Sequence, residues 1–100
     1  MNVTTSVDGN KAVLTVEGKL TVQTAPELEA AVGQLADDVA DIDIDLTEVD
    51  YVSSAGLRVF VATDKLATRR NGTMRLISPT DEVTDVLEMT GLSEVLSIVR

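Results

Sequence analysis

Residues 41–60, DIDIDLTEVDYVSSAGLRVF, join two apolar segments that differ in period. In the first six residues aspartate and aliphatic residues alternate, which predicts a strand with one buried face and one face open to solvent. After the serine pair the apolar residues follow a helical period, and a helix is expected over 54–70. A strand that passes directly into a helix indicates a βαβ unit and therefore an α/β fold.

The segments before this stretch predict a hairpin and a first helix. The sequences NVTTSV and KAVLTVEGKL surround a DGN turn and predict two antiparallel strands. The first helix is expected over 24–36, with a capping box formed by Thr24 and Glu27. Gly33 is expected to weaken this helix slightly without ending it.

The segments after this stretch repeat the pattern of strand and helix. TMRLI predicts a strand, a third helix capped by Thr80 is expected over 80–90, and LSEVLSIVR supplies a last short strand. Arg69 and Arg70 stand in the last turn of the second helix, and Gly72 follows its end. Strands alternating with helices at these short spacings predict right-handed crossovers, a mainly parallel sheet and helices packed on it.

The composition restricts the class of protein. A chain of 100 residues that is 44% hydrophobic is expected to form a single domain with a mostly aliphatic core. Cysteine and histidine are absent, which removes disulfides and the commonest catalytic and metal-binding designs, so neither a cofactor nor a metal is expected. The net charge of −9 argues against direct binding of nucleic acid. No signal-peptide core or membrane-spanning apolar run is present, so we expect a cytoplasmic protein without membrane insertion.

The surroundings of the serine pair argue against an enzyme. Ser54-Ala55-Gly56 matches the second half of a nucleophile elbow, but Val52 stands where the first glycine belongs and no histidine exists to take the proton. Lys65, a conceivable base on the same helix, lies about 16 Å from the serine at the usual rise per residue. Hydrolysis by this serine is therefore not expected.

Two roles stay open for the serine pair at the start of the second helix. A serine there can cap the helix by accepting a hydrogen bond from a free N–H of the first turn. One serine suffices for the cap, and the other is well placed to carry a phosphate, because unpaired N–H groups and the helix dipole favour an anion. Arg58, four residues after Ser54, shares its helix face and could pair with such a phosphate.

Three segments resemble the STAS domain, and specifically the bacterial anti-sigma factor antagonists: VEGKLTVQTAPEL, DLTEVDYVSSAGLR and LEMTGLSEVLSIV. The resemblance covers nearly the whole chain and implies a single STAS domain over 1–100 with the STAS-type α/β fold. Family members carry a phosphorylatable serine just ahead of a small residue, a glycine and a leucine. This serine corresponds to Ser54, which Ala55, Gly56 and Leu57 follow.

The resemblance also implies a partner switch. In that family an anti-sigma factor that is also a serine kinase phosphorylates the serine with ATP. The unphosphorylated antagonist binds this kinase and frees the sigma factor, and a PP2C-type phosphatase resets the switch. Because loops at the carboxyl ends of parallel strands gather at one edge of a sheet, the partner-binding surface is expected to comprise Lys19, Thr21, Thr24, Ser53, Ser54, Ala55, Gly56 and Arg58.

The chain departs from the family pattern at three places. Ser53 precedes the expected phosphorylation site where an aspartate is common. Thr21 stands where an aspartate commonly follows the G-x-L of the first turn. The sequence also stops at Arg100, where many members continue into a C-terminal helix, so that helix is expected to be missing.

An alternative function stays open beside the partner switch. A STAS module can also serve as a binding subunit of a transporter or of a larger signalling assembly, in which case Ser54 is only part of the helix cap. Incubation with ATP and a co-encoded serine kinase separates the two functions, since only the partner switch requires phosphate on Ser54.

Overall fold

The computed structural model describes residues 1–100, and its elements alternate as the sequence predicts. A short 3-10 turn, Leu92–Glu94, lies between the last helix and the last strand. The strands and helices, in chain order, are β1 (Asn2–Asp8), β2 (Lys11–Leu20), α1 (Ala25–Gly33), β3 (Asp41–Val52), α2 (Ser54–Arg69), β4 (Met74–Ile77), α3 (Asp81–Met89) and β5 (Ser97–Val99).

The five strands form one mixed sheet in the order β1-β2-β3-β4-β5. β1 and β2 pair as an antiparallel hairpin, and every later pair is parallel. Each βαβ crossover connects a strand to its next neighbour, and all the crossovers move across the sheet in the same direction, from β2 toward β5. Right-handed crossovers of this kind put all three helices on one face of the sheet. The predicted α/β fold, with its hairpin and its mainly parallel sheet, is confirmed.

The alternation in β3 divides the molecule into a covered face and an open face. Ile42, Ile44 and Leu46 are completely buried and belong to the core under the helices. Phe60 of α2, the one aromatic residue of the core, is completely buried as well. The aspartates between the isoleucines lie on the opposite face, which no helix covers, so the predicted open face is confirmed.

The hairpin turn depends on Gly9. Asp8 and Lys11 close the β1–β2 ladder, so Gly9 and Asn10 are the two residues of the turn. Gly9 has φ of +62°, and Asn10 has no positive φ, which is the pattern of a type II′ turn with glycine in first place. The turn therefore fixes the register of the hairpin.

Two expectations for α1 are wrong. The helix ends at Gly33 rather than continuing to residue 36, because an exposed glycine is a poor helix former and the chain turns there to bring Leu35 into the core. The expected capping box is absent as well: Thr24 makes no side-chain hydrogen bond to the helix. Its hydroxyl donates instead to the carbonyl of Lys19, at 2.6 Å.

The other helix ends follow recognisable rules. Thr80 caps α3 by accepting a hydrogen bond from Val83 N, at 3.4 Å, as expected. At the end of α2, Gly72 N donates to Ala67 O and Asn71 N donates to Thr68 O, which is the bond pattern of a Schellman motif. The left-handed position of that motif belongs to Asn71, with φ of +63°, and not to the glycine that follows it.

One aspartate of the open face is nearly as buried as the core. The side chain of Asp43 is 9% exposed. Arg75 on β4 holds it with two hydrogen bonds of 2.9 and 2.7 Å, and Lys11 on β2 adds an ion pair at 3.1 Å. Burial acts to raise the pKa of this carboxyl, but the hydrogen bonds from Arg75 and Lys11 outweigh it, and the pKa is lowered.

Ionisation of Asp43 should therefore contribute to the pH dependence of the protein's stability. Because its folded pKa lies below the unfolded value of about 3.9, the carboxylate stabilises the fold above that value and loses this contribution as pH falls through the folded pKa. Asp43→Asn should melt below the wild type at neutral pH, and the difference in Tm should shrink below about pH 4. Asp38→Asn, at an exposed position, is the matched control. A Tm difference for Asp43→Asn that does not change with pH would contradict the assignment.

Candidate functional site at the start of α2

The candidate site lies where β2 and β3 end at the carboxyl edge of the parallel sheet. Ser53 follows β3 directly, and its N–H donates to Leu20 O at the end of β2, at 2.8 Å. The same two strands pair Leu20 with Val52. The turn after β2 and the first turn of α2 are therefore neighbours, as expected from the topology.

The structure gives the two serines different tasks. Ser53 has extended backbone angles and occupies the N-cap position, where its Oγ accepts a hydrogen bond from Gly56 N at 3.3 Å. Ser54, the first residue of the helix, is exposed, and its hydroxyl has no hydrogen-bond partner in the protein. Ser53 therefore supplies the cap, which is one of the two roles that the sequence left open for the serine pair.

The first turn of α2 also presents unpaired backbone donors. Leu57 N donates to Ser53 O and Gly56 N donates to Ser53 Oγ, but no acceptor in the protein takes the N–H of Ser54 or of Ala55. Free N–H groups at the positive end of a helix dipole attract anions. The exposed hydroxyl of Ser54 thus stands at the end of the helix that best tolerates negative charge.

Gly56 allows this helix start to approach the strands closely. A Cβ atom at this position would lie 2.7 Å from Val52 Cγ2 and 3.2 Å from Leu20 Cβ. Both neighbours are buried core residues, and neither can move away cheaply. Glycine is therefore required at this position of the serine-serine-alanine-glycine sequence for reasons of packing.

The turn between β2 and α1 is held by its two threonines. The hydroxyl hydrogen of Thr24 goes to Lys19 O, so its oxygen accepts from Thr21 N at 2.8 Å. The hydroxyls of Thr21 and Thr24 lie 3.2 Å apart, and Thr21 must be the donor there because Thr24 has already used its hydrogen. Thr21 Oγ1 in turn accepts from Gln23 N at 3.2 Å. Thr21 therefore serves as a turn-forming side chain.

Lys19 and Arg58 lie on two sides of the helix start. Lys19 Nζ pairs with Asp50 Oδ1 at 3.1 Å, with both side chains mostly exposed, so this ion pair contributes little to stability. Arg58 is exposed and makes no ion pair within the protein. Its position on the same face as Ser54 agrees with the helical spacing.

A groove of about 470 Å³ runs along α2 beside Ser54. Its base is apolar, and Arg58 and Lys65 give it two positive charges. This groove was not predicted from the sequence. A signal for it was present, because α2 has more apolar residues around its circumference than packing against the core requires. The residues that line it are Ser54, Leu57, Arg58, Val61, Ala62, Lys65 and Leu92.

Two exposed apolar side chains at the same edge were also missed. Val22, in the turn after β2, is 66% exposed, and Tyr51, near the end of β3, is 48% exposed. Tyr51 pairs with Lys19 across the β2–β3 ladder, just after a register shift in that ladder. Their signal in the sequence is weak, because single apolar residues at a surface are ordinary.

The comparisons with known proteins agree with this geometry. The family model described as "Mlab, STAS domain" matches residues 3–99, and the chain belongs to the STAS domain family. The anti-sigma-B factor antagonist of Bacillus subtilis (strain 168) is 31% identical over 98 residues, which cover 98% of this chain and 90% of that protein. The chain is thus a member of the anti-sigma factor antagonists, which are regulatory proteins and not enzymes.

Solved structures show the same fold. An anti-sigma factor antagonist from Mycobacterium paratuberculosis superposes with a TM-score of 0.85 at 24% identity, covering 98% of this chain and 84% of that one. The Bacillus protein SpoIIAA in its phosphorylated form superposes with a TM-score of 0.76 at 16% identity, covering 99% of this chain and 92% of that one.

None of the helices of this chain has the length and apolar character needed to cross a lipid bilayer.

The close approach at Gly56 predicts a strong effect of one methyl group. Gly56→Ala should destabilise the protein by about 1–3 kcal/mol, because the new Cβ overpacks Val52 and Leu20. Gly33→Ala is the matched control, since its Cβ meets nothing within 4 Å and alanine improves helix propensity. Chemical denaturation of both variants measures the effect. Equal stabilities for Gly56→Ala and the wild type would show that the helix start is free to shift.

Proposed function

We propose that this protein is an anti-sigma factor antagonist controlled by phosphorylation of Ser54. In its unphosphorylated state it binds, in the cytoplasm, an anti-sigma factor that is also a serine kinase, and this binding frees a sigma factor. The kinase uses ATP to phosphorylate Ser54, and a PP2C-type phosphatase removes the phosphate. The named activity of the Bacillus subtilis relative supports the class of partner.

The observation that carries this proposal is the division of labour between the two serines. Ser53 holds the cap, so the hydroxyl of Ser54 is exposed and unbonded at the helix start. A kinase can therefore reach it without first breaking a hydrogen bond of the fold. If the pair served only to cap the helix, one serine would be enough.

The fold tolerates phosphate at this position. A phosphoserine adds about −1.5 to −2 charge, and it would stand beside the free N–H groups of Ser54 and Ala55. Arg58, which lines the same groove as Ser54, has no ion pair of its own and supplies a nearby counter-charge. Phosphorylation is thus compatible with the folded state.

The partner does not tolerate the phosphate in the same way. A surface shaped to an uncharged serine must accommodate a bulky anion and remove its water of hydration when the two proteins meet. A loss of about 3 kcal/mol would weaken binding more than a hundredfold. The switch therefore acts at the interface and leaves the fold intact.

The proposed contact surface combines the start of α2 with the turn after β2. The exposed groups there are Lys19, Ser54 and Arg58, with Val22 and Tyr51 as apolar neighbours. Thr21 and Thr24 act through the shape of the turn, since their hydroxyls are used within it. Ser53, Ala55 and Gly56 set the position of the helix start.

Substitutions at the serine pair test the proposal. Ser54→Ala should bind the kinase constitutively, and Ser54→Asp should bind at least about a hundredfold more weakly, as a loss of 3 kcal/mol implies. Calorimetric titration with the purified kinase measures both, and both variants should melt close to the wild type.

Phosphate transfer assigns the acceptor. With ATP and the kinase, the wild type and Ser53→Ala should gain the mass of one phosphate, and Ser54→Ala should gain none. Incorporation that survives Ser54→Ala but disappears in Ser53→Ala would move the acceptor by one residue. A protein that gains no phosphate, and whose binding ignores both Ser54 substitutions, would instead favour a STAS binding subunit without phosphorylation.

A further inference from the structure

The two edges of the sheet differ in how they are protected. β5 is a strand of only three residues, whereas β1 has seven residues, and all but Val3 are exposed. One side of β1 pairs with β2 without a register shift, and no strand pairs with the other side. Residues 2–7 contain no charge and no proline, the usual devices that keep an edge strand from pairing.

The sequence of β1 is nearly a palindrome about Thr5. Reading outward from Thr5, Thr4 matches Ser6 and Val3 matches Val7. Two copies of β1 paired antiparallel about this residue would set hydroxyl beside hydroxyl and valine beside valine. Cross-strand pairs of this kind stabilise a ladder.

We propose that β1 pairs with β1 of a second copy of this chain, with Thr5 on the two-fold axis. The interface is self-complementary, as two-fold symmetry requires. It joins the two sheets into one continuous sheet of ten strands. The interface runs along the free side of β1, whereas Ser54 lies at the start of α2, beyond the ends of β2 and β3. It therefore uses different residues from the site at Ser54 and does not depend on the proposed switch.

The faces of the two sheets agree in this register. Val3, Thr5 and Val7 oppose buried residues of β2, so they point toward the helix side. In the proposed pairing each of them opposes another member of the same set, so the helices of both copies lie on one face. A shift by one residue would place helix-side residues opposite open-face residues.

An apolar groove beside β1 extends the proposed contact. It has a volume of about 220 Å³ and lies between β1 and α1, and Val7, 51% exposed, stands at its border. In the proposed dimer the partner's Val3 stands directly beside Val7 and covers part of this surface. The lining residues are Thr5, Val7, Ala31, Gln34, Leu35, Ala36 and Val39.

The distribution of charge favours the exposed edge of β1 over other surfaces for self-association. The chain has a net charge of −9, so most contacts between two copies would bring acidic groups together. β1 is uncharged up to residue 7, and its one acid, Asp8, would face the partner's Asn2, whose amide can donate to a carboxylate. A second copy is thus the occupant that best fits this edge.

Cysteine cross-linking tests both the dimer and its register, because the wild type has no cysteine to interfere. Residues directly opposite in an antiparallel pair have Cα atoms about 4.5–5.5 Å apart, within the range of a disulfide. Thr5→Cys should therefore form a covalent dimer on oxidation. Two Thr4→Cys residues would lie about 8 Å apart in this register, too far to be bridged.

Thr4→Cys and Thr15→Cys are the matched controls, the second on the neighbouring strand away from the edge. Neither variant should form a covalent dimer under the same oxidation, although both still associate non-covalently. If Thr4→Cys cross-links as fast as Thr5→Cys, the register is wrong. If all three behave alike, the proposed interface is wrong.

A charge exchange gives an independent readout by analytical ultracentrifugation. The wild type should reach twice the monomer mass as its concentration rises. Thr5→Lys and Thr5→Glu should each lose the dimer, because like charges would meet on the axis, and their equal mixture should regain it as a heterodimer. Circular dichroism confirms that both variants fold. A wild type that stays monomeric at millimolar concentration, or a mixture that stays monomeric, would overturn the proposal.

Discussion

The site depends on one close contact, where the start of α2 meets the ends of β2 and β3. Ser53 N bonds to Leu20 O, and Gly56 lies against Leu20 and Val52 with no room for a side chain. This contact places the helix axis, and the cap by Ser53 follows from it. Ser54 is turned outward as a consequence, so the exposure of the candidate phosphorylation site is a result of how the core is packed.

The sequence predicts those parts of the fold that depend on the local spacing of apolar residues. The strict alternation in β3 and the helical period after the serine pair suffice for the strand, the helix and the open face. The start of α1 could not be predicted in the same way. Thr24 has the chemistry of a cap, but its hydroxyl donates to Lys19 O and its oxygen accepts from Thr21 N, and these bonds form only when the turn has folded.

The burial of Asp43 illustrates the same limit on the open face. Its place in the alternation correctly puts it on the side without helices, where an aspartate is normally solvated. Lys11 and Arg75 cover it from the two neighbouring strands, and they do so because the parallel register brings those strands together at that height. Register between distant strands is a property of the tertiary structure, and no local pattern in the sequence reveals it.

The position of Tyr51 has a consequence for spectroscopy. It is the one tyrosine of the chain, tryptophan is absent, and the core contains a single phenylalanine. Tyrosine fluorescence of this protein therefore comes from a side chain at the border of the candidate contact surface, while the aliphatic interior contributes almost none. The emission of the unlabelled protein therefore reports on that surface, and it could follow the binding of a partner that lacks both tyrosine and tryptophan.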